Sequence, residues 1–129
     1  MELKQYQKQA MAALGEYVDK LRAAKRDNKN AAASPETTAW RDFWDARQKP
    51  ILYHPRYHTK NGTSYPYICL KLPTGGGKTL LGVEAVDKLF LQYQGKRTGL
   101  LLWVVPSRTI RDHAQTHPCL LYTSDAADE

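Results

Sequence analysis

The chain has 129 residues, is 42% hydrophobic and 25% charged, and carries 19 Lys and Arg against 13 Asp and Glu, a formal +6. That composition excludes a disordered chain and suits one small domain or part of one. No apolar run approaches the roughly 18 residues that cross a membrane, and two cysteines do not make a disulfide framework.

These features fit a cytoplasmic chain, with no signal peptide before the patterned segment at Met1-Glu2-Leu3-Lys4. Charge sharpens the reading when the last eleven residues are set aside. They hold Asp125, Asp128 and Glu129 and no base, so the remaining 19 bases face 10 acids, a balance of +9. A basic body suits a phosphate-rich partner such as nucleic acid.

In chain order, residues 3 to about 27 place Leu3, Tyr6, Ala10, Leu14, Tyr17, Val18 and Leu21 at spacings of three and four. Charged residues fall largely between them, which predicts an amphipathic helix with one buried face. Polar residues 27–30 and Ser34-Pro35 then read as a linker. A short helix starting at Pro35-Glu36 is expected to carry Trp40, Phe43 and Trp44 on one apolar face, with Ser34 as its cap. Residues 49–66 hold Pro50, Pro55, Gly62 and Pro66 among Tyr53, His54, Arg56, Tyr57, His58 and Lys60. This is an irregular, basic and aromatic stretch.

Residues 67–72 read as a short strand that begins after Pro66, with Cys69 in the core. A second helical pattern runs from Thr79 to about Gln94, and Gly95 is its expected stop. The apolar run from Gly99 to Val105 resembles a strand covered on both faces. Pro106 ends it, and Ser107 can cap a further helix containing Ile110. Strand, glycine loop, helix and strand make a βαβ unit, so the expected fold class is α/β with a parallel sheet. One such unit leaves apolar surface open, which suits a truncated domain.

The glycine loop carries the chemistry. Leu72-Pro73-Thr74-Gly75-Gly76-Gly77-Lys78-Thr79 ends as the phosphate-loop pattern Gly-x-x-x-x-Gly-Lys-Ser/Thr does, with Leu72 where the first Gly stands. Gly75, Gly76 and Gly77 let successive backbone N–H groups face a phosphate, and the helix N-terminus adds to them. Thr74 shapes the loop. Lys78 supplies a mobile charge for the outer phosphates, and the Thr79 hydroxyl suits Mg²⁺. The expected ligands are therefore ATP and Mg²⁺. The alternative for the loop is an ordinary glycine turn with a solvated lysine.

Pro-Thr-Gly-Gly-Gly-Lys-Thr resembles the first motif of superfamily 2 helicases of the DEAD/DEAH type. With Val104-Val105-Pro106-Ser107 downstream, the chain is most similar to the restriction subunits of type III restriction-modification enzymes. The resemblance implies a partial RecA-like phosphate-loop NTPase sheet behind an N-terminal amphipathic helix. Leu3-Lys4-Gln5-Tyr6-Gln7 fits the element that opens such proteins, and the resemblance makes Gln7 the reader of adenine; the alternative is an exposed helix residue. It also gives Ser107, Arg108 and Thr109 contacts to a nucleic-acid backbone, where Arg108 and Arg111 are otherwise surface charges.

The implied organisation is an N-terminal helix with the adenine element at 1–27, a linker and aromatic basic region at 28–66, and the start of a helicase ATP-binding domain at 67–118. Residues 119–129, from Cys119 to Glu129, resemble the translation of a transposase-type sequencing adapter; the alternative is a genuine polar tail. The acidic element that completes Mg²⁺ chemistry and the arginine finger are not found in the sequence, so the piece itself is expected to be inactive. The implied partners of the parent are DNA and a modification methyltransferase subunit, with no membrane. The competing readings are a non-helicase phosphate-loop ATPase or kinase, and a nucleic-acid-binding module without ATPase activity.

Overall fold

A computed structural model describes residues 2–27, 32–73 and 77–104. The chain divides into two compact units between Lys71 and Leu72.

The first unit is built on two helices, α1 (Gln5–Asp27) and α2 (Pro35–Asp45). Of the expected face, Leu14, Tyr17, Val18 and Leu21 are buried on α1, joined by Met11 and Ala24, whereas Leu3, Tyr6 and Ala10 are half-buried. This face packs on Ala39 and Phe43 of α2. Tyr17 meets Trp40 and Phe43 edge-on, with centroids 6.1 and 6.5 Å apart, and its hydroxyl donates to the Glu36 carbonyl at 3.4 Å. Aromatic pairs in this geometry add to the free energy of burial.

Both ends of α2 follow from local chemistry. Ser34 is its N-cap and accepts from the Thr37 N–H at 3.3 Å, with Pro35 at the first helical position. At the other end Gln48 adopts φ +55°. Its N–H bonds the Asp45 carbonyl and the Lys49 N–H bonds the Trp44 carbonyl, at 3.0 and 3.1 Å. This is the Schellman arrangement with Gln in the place that Gly usually takes. The Trp40 indole then donates to the Ile51 carbonyl at 2.8 Å and anchors the segment that follows.

That segment contains the only sheet among the described residues. Strands β1 (Arg56–Tyr57) and β2 (Ser64–Tyr65) pair antiparallel, with Arg56 opposite Tyr65 and Tyr57 opposite Ser64. The turn closes through His58 N–H to Thr63 O and Gly62 N–H to His58 O, both 2.9 Å, with Gly62 at φ +69°. A left-handed residue is needed there, and glycine takes it without steric cost.

The second unit contains α3 (Lys78–Lys88), which continues as a π-helical turn over Leu89–Gln94. Gly95 stops it at φ +64°, as its position in the sequence predicts. Leu81 and Val83 are the buried side chains of α3. The following segment returns over the helix: a Cβ on Gly82 would lie 2.6 Å from Cη2 of Trp103, and one on Gly99 would lie 2.6 Å from Cε1 of Phe90.

The expected parallel α/β sheet is not formed. The described residues are mostly helical, and neither 67–72 nor 99–104 joins a ladder. Both segments find other surroundings. Tyr67 gives its N–H to the Tyr53 hydroxyl at 3.1 Å, and Ile68, Cys69 and Leu70 line an aromatic groove with Trp40, Phe43 and Trp44. Cys69 is exposed, not in the core as expected. In the second run Leu100, Leu102 and Val104 are 98, 85 and 83% exposed. A continuous apolar run does not by itself distinguish a covered strand from other apolar packing. Trp103 of that run lies against Gly82 of α3.

Candidate nucleotide-binding site

The site begins at Gly77. It caps α3 in the left-handed conformation, φ +72° and ψ +40°, where a side chain is disfavoured. The Leu81 N–H makes the first intrahelical bond, to the Gly77 carbonyl at 3.0 Å. The N–H groups of Lys78, Thr79 and Leu80 therefore lie ahead of the helical ladder, at the positive end of the helix dipole. Lys78 opens the helix with an exposed side chain, and Thr79 beside it is half-buried. No acidic residue stands in the first turn. A reversed glycine, a helix start, a mobile cation and a hydroxyl suit an anionic ligand with a bound divalent ion.

Thr74, Gly75 and Gly76 lie outside the described residues, as do Ser107, Arg108 and Thr109 and residues 119–129. Among the described residues no cluster of His, Cys, Asp and Glu is large enough to hold a metal ion by itself. The Thr79 hydroxyl is an oxygen donor of a type that suits Mg²⁺.

Gln7 lies in the first unit and is 4% exposed. It occupies the third position of α1, and its Oε1 accepts the Lys4 N–H at 2.8 Å. This is the return bond of a capping box. Gln7 is therefore neither an exposed helix residue nor a side chain with its carbonyl oxygen open. A Gln three residues after Lys4, at the third position of the helix, is the sequence signal for this local role.

Glu16, Arg47 and Tyr53 of the first unit depart from their ordinary values. A two-armed contact joins Arg47 to Glu16, with Nη2 to Oε2 at 2.7 Å and Nη1 to Oε1 at 3.1 Å. The hydrogen bonds hold the Glu16 carboxyl below its usual range and raise Arg47. Arg47 also lies 3.7 Å from the centroid of the Phe43 ring. Burial pushes the Tyr53 hydroxyl up. These are structural contacts of the first unit, and sequence spacing gives no sign of the pairing of residues 16 and 47.

A helix start of this kind suits an anion, and comparison with known proteins gives the family. The chain belongs to the family described as type III restriction enzyme, res subunit, whose model matches residues 1–126. The family is one of superfamily 2 helicases, whose parent proteins work by an ATP-dependent mechanism. No curated protein and no solved structure matches the chain. Among the described residues no helix is long and apolar enough to cross a membrane.

Proposed function

We propose that the chain supplies the phosphate loop of an ATP-driven DNA helicase or translocase, the restriction subunit of a type III restriction-modification system. The observation that carries this reading is the start of α3. Gly77 in the left-handed conformation delivers Lys78 and Thr79 to a helix N-terminus, within a chain of the res-subunit family.

In this reading Gly75, Gly76 and Gly77 wrap backbone N–H groups around the phosphates of ATP, with Thr74 shaping the turn. Lys78 reaches the outer phosphates, and Thr79 gives its hydroxyl to Mg²⁺. The metal, when bound, draws charge off the phosphate oxygens. Gln7 holds the N-terminal element by accepting the Lys4 N–H. Ser107, Arg108 and Thr109 contact the DNA backbone. The 129 residues by themselves bind nucleotide weakly and do not hydrolyse it, because the acid and the arginine that complete such sites are supplied elsewhere in the parent. In the parent, DNA and a modification methyltransferase subunit are the partners.

The test is ATP turnover by a protein that carries this sequence within a complete helicase core. Turnover that rises several-fold with DNA and falls to background with Lys78→Ala is expected. Turnover indifferent to DNA would favour a phosphate-loop ATPase or kinase of another kind.

A further inference from the structure

From Ala46 to Lys71 the first unit contains no Asp or Glu, yet it carries Arg47, Lys49, Arg56, Lys60 and Lys71. Arg47 is committed to Glu16. The β1–β2 hairpin presents much of the rest. Arg56, His58 and Lys60 are exposed, and no carboxylate pairs with Arg56 or Lys60 among the described residues.

Aromatic rings are set among these cations in a fixed order. The register places Arg56 opposite Tyr65, so the two share a face of the ribbon, and alternation puts His58 and Tyr67 on that face too. The contacts agree. The Arg56 guanidinium lies 5.0 Å from the Tyr67 ring centroid, and the His58 and Tyr65 rings are 4.8 Å apart. One face thus carries Tyr67, Arg56, Tyr65 and His58 in a row, with Lys60 in the turn beyond. Tyr67 remains 60% exposed although Arg56 covers part of it. The row is fixed from below: the Tyr67 N–H is bonded to Tyr53, which is 8% exposed. Tyr57 stands on the opposite face, 52% exposed.

We infer that this face of the hairpin is a binding platform for single-stranded DNA, separate from the phosphate loop. An unpaired base stacks on the open face of Tyr67, and the outer N–H edge of Arg56 and the Lys60 ammonium meet the flanking phosphates. Alternating rings and cations match alternating bases and phosphates, and the absence of carboxylates removes the repulsion that would oppose a polyanion. A duplex hides its base faces and gains only the charge. The choice of DNA rests on the function proposed above, whereas the platform rests on the hairpin.

Fluorescence anisotropy of a labelled dT20 strand with the full chain tests it. Tyr67→Leu keeps charge and apolar character but removes the ring, and should weaken binding roughly tenfold. Arg56→Ala combined with Lys60→Ala should weaken binding and flatten its salt dependence. Tyr57→Leu, on the other face, should leave affinity unchanged, and so should Lys78→Ala. Far-ultraviolet circular dichroism of each variant should match the parent, since none of these side chains is in the core. Tyr67→Leu binding as tightly as the parent overturns the proposal, as does equal affinity for a duplex of the same length or tighter binding of rU20. Loss of dT20 binding with Lys78→Ala would also overturn it, because the strand would then lie at the phosphate loop.

Discussion

Glu36 sits at the second position of α2, 1% exposed, and neither carboxylate oxygen has a hydrogen-bond partner among the described residues. The Tyr17 hydroxyl next to it donates to the Glu36 carbonyl, not to the carboxylate. Replacement by Met keeps the length of the side chain and removes the unmet polar atoms. Burying a polar group without a partner costs about 1–3 kcal/mol in proteins. A carboxylate in the first turn of a helix regains about 0.3–1 kcal/mol from the helix dipole, and Met forfeits that. Glu36→Met should therefore stabilise the chain by about 1–2 kcal/mol, which is a rise of roughly 4–8 °C in Tm for a chain of this size. Glu36→Gln removes the charge but leaves an unmet amide, and should fall between the two. Urea titration followed by circular dichroism, with thermal melts in parallel, measures all three proteins. A loss of 1 kcal/mol or more in Glu36→Met would refute the reasoning, because the carboxylate would then hold a favourable contact.

Gly82→Ala would gain about 1 kcal/mol from helix propensity alone. Its Cβ would lie 2.6 Å from Trp103, however, and overpacking costs about 1–3 kcal/mol, so net destabilisation and a changed near-ultraviolet signal are expected; a gain in stability contradicts the packing of Trp103 on α3. The Glu16–Arg47 pair sets an acid limb. Because Arg47 lowers the Glu16 pKa in the folded state, its contribution is fully present above the unfolded value near 4.5 and fades as pH falls through the lower folded value. With both side chains about a third exposed, the contribution is about 0.2–1 kcal/mol. Glu16→Gln should flatten the urea midpoint between about pH 3 and 5 relative to the parent; an unchanged slope contradicts the pairing.

Local signals explain what could be read from the sequence. The stripe from Leu14 to Leu21, Ser34-Pro35 before Trp40, and Gly95 after a helical period each act within a few residues, and each is found as expected. The start of α3 at Lys78 belongs with them, because a glycine run before a helical pattern is also local. The strands were misread because pairing depends on distant partners. Tyr67 finds the Tyr53 hydroxyl, a contact that periodicity cannot reveal. The hairpin at Arg56–Tyr65 did leave a sign, Asn61-Gly62 between aromatic residues, which is a hairpin signal hidden within a stretch dense in prolines. Gln7 illustrates a different limit. One residue type suits both adenine and a helix start, and only the bond from the Lys4 N–H exposes the second role. The π-helical turn at Leu89–Gln94 has the same apolar pattern as an α-helix and gives no separate sign.

In the proposed function the start of α3 holds nucleotide phosphates through Lys78. Titration of the 129-residue chain with a fluorescent ATP analogue, with and without Mg²⁺, tests it most directly. Weak, saturable binding is expected, strengthened by Mg²⁺, competed by ATP and lost in Lys78→Ala with the helix content unchanged. Equal binding by the parent and Lys78→Ala, or no binding by the parent at millimolar nucleotide, would contradict it.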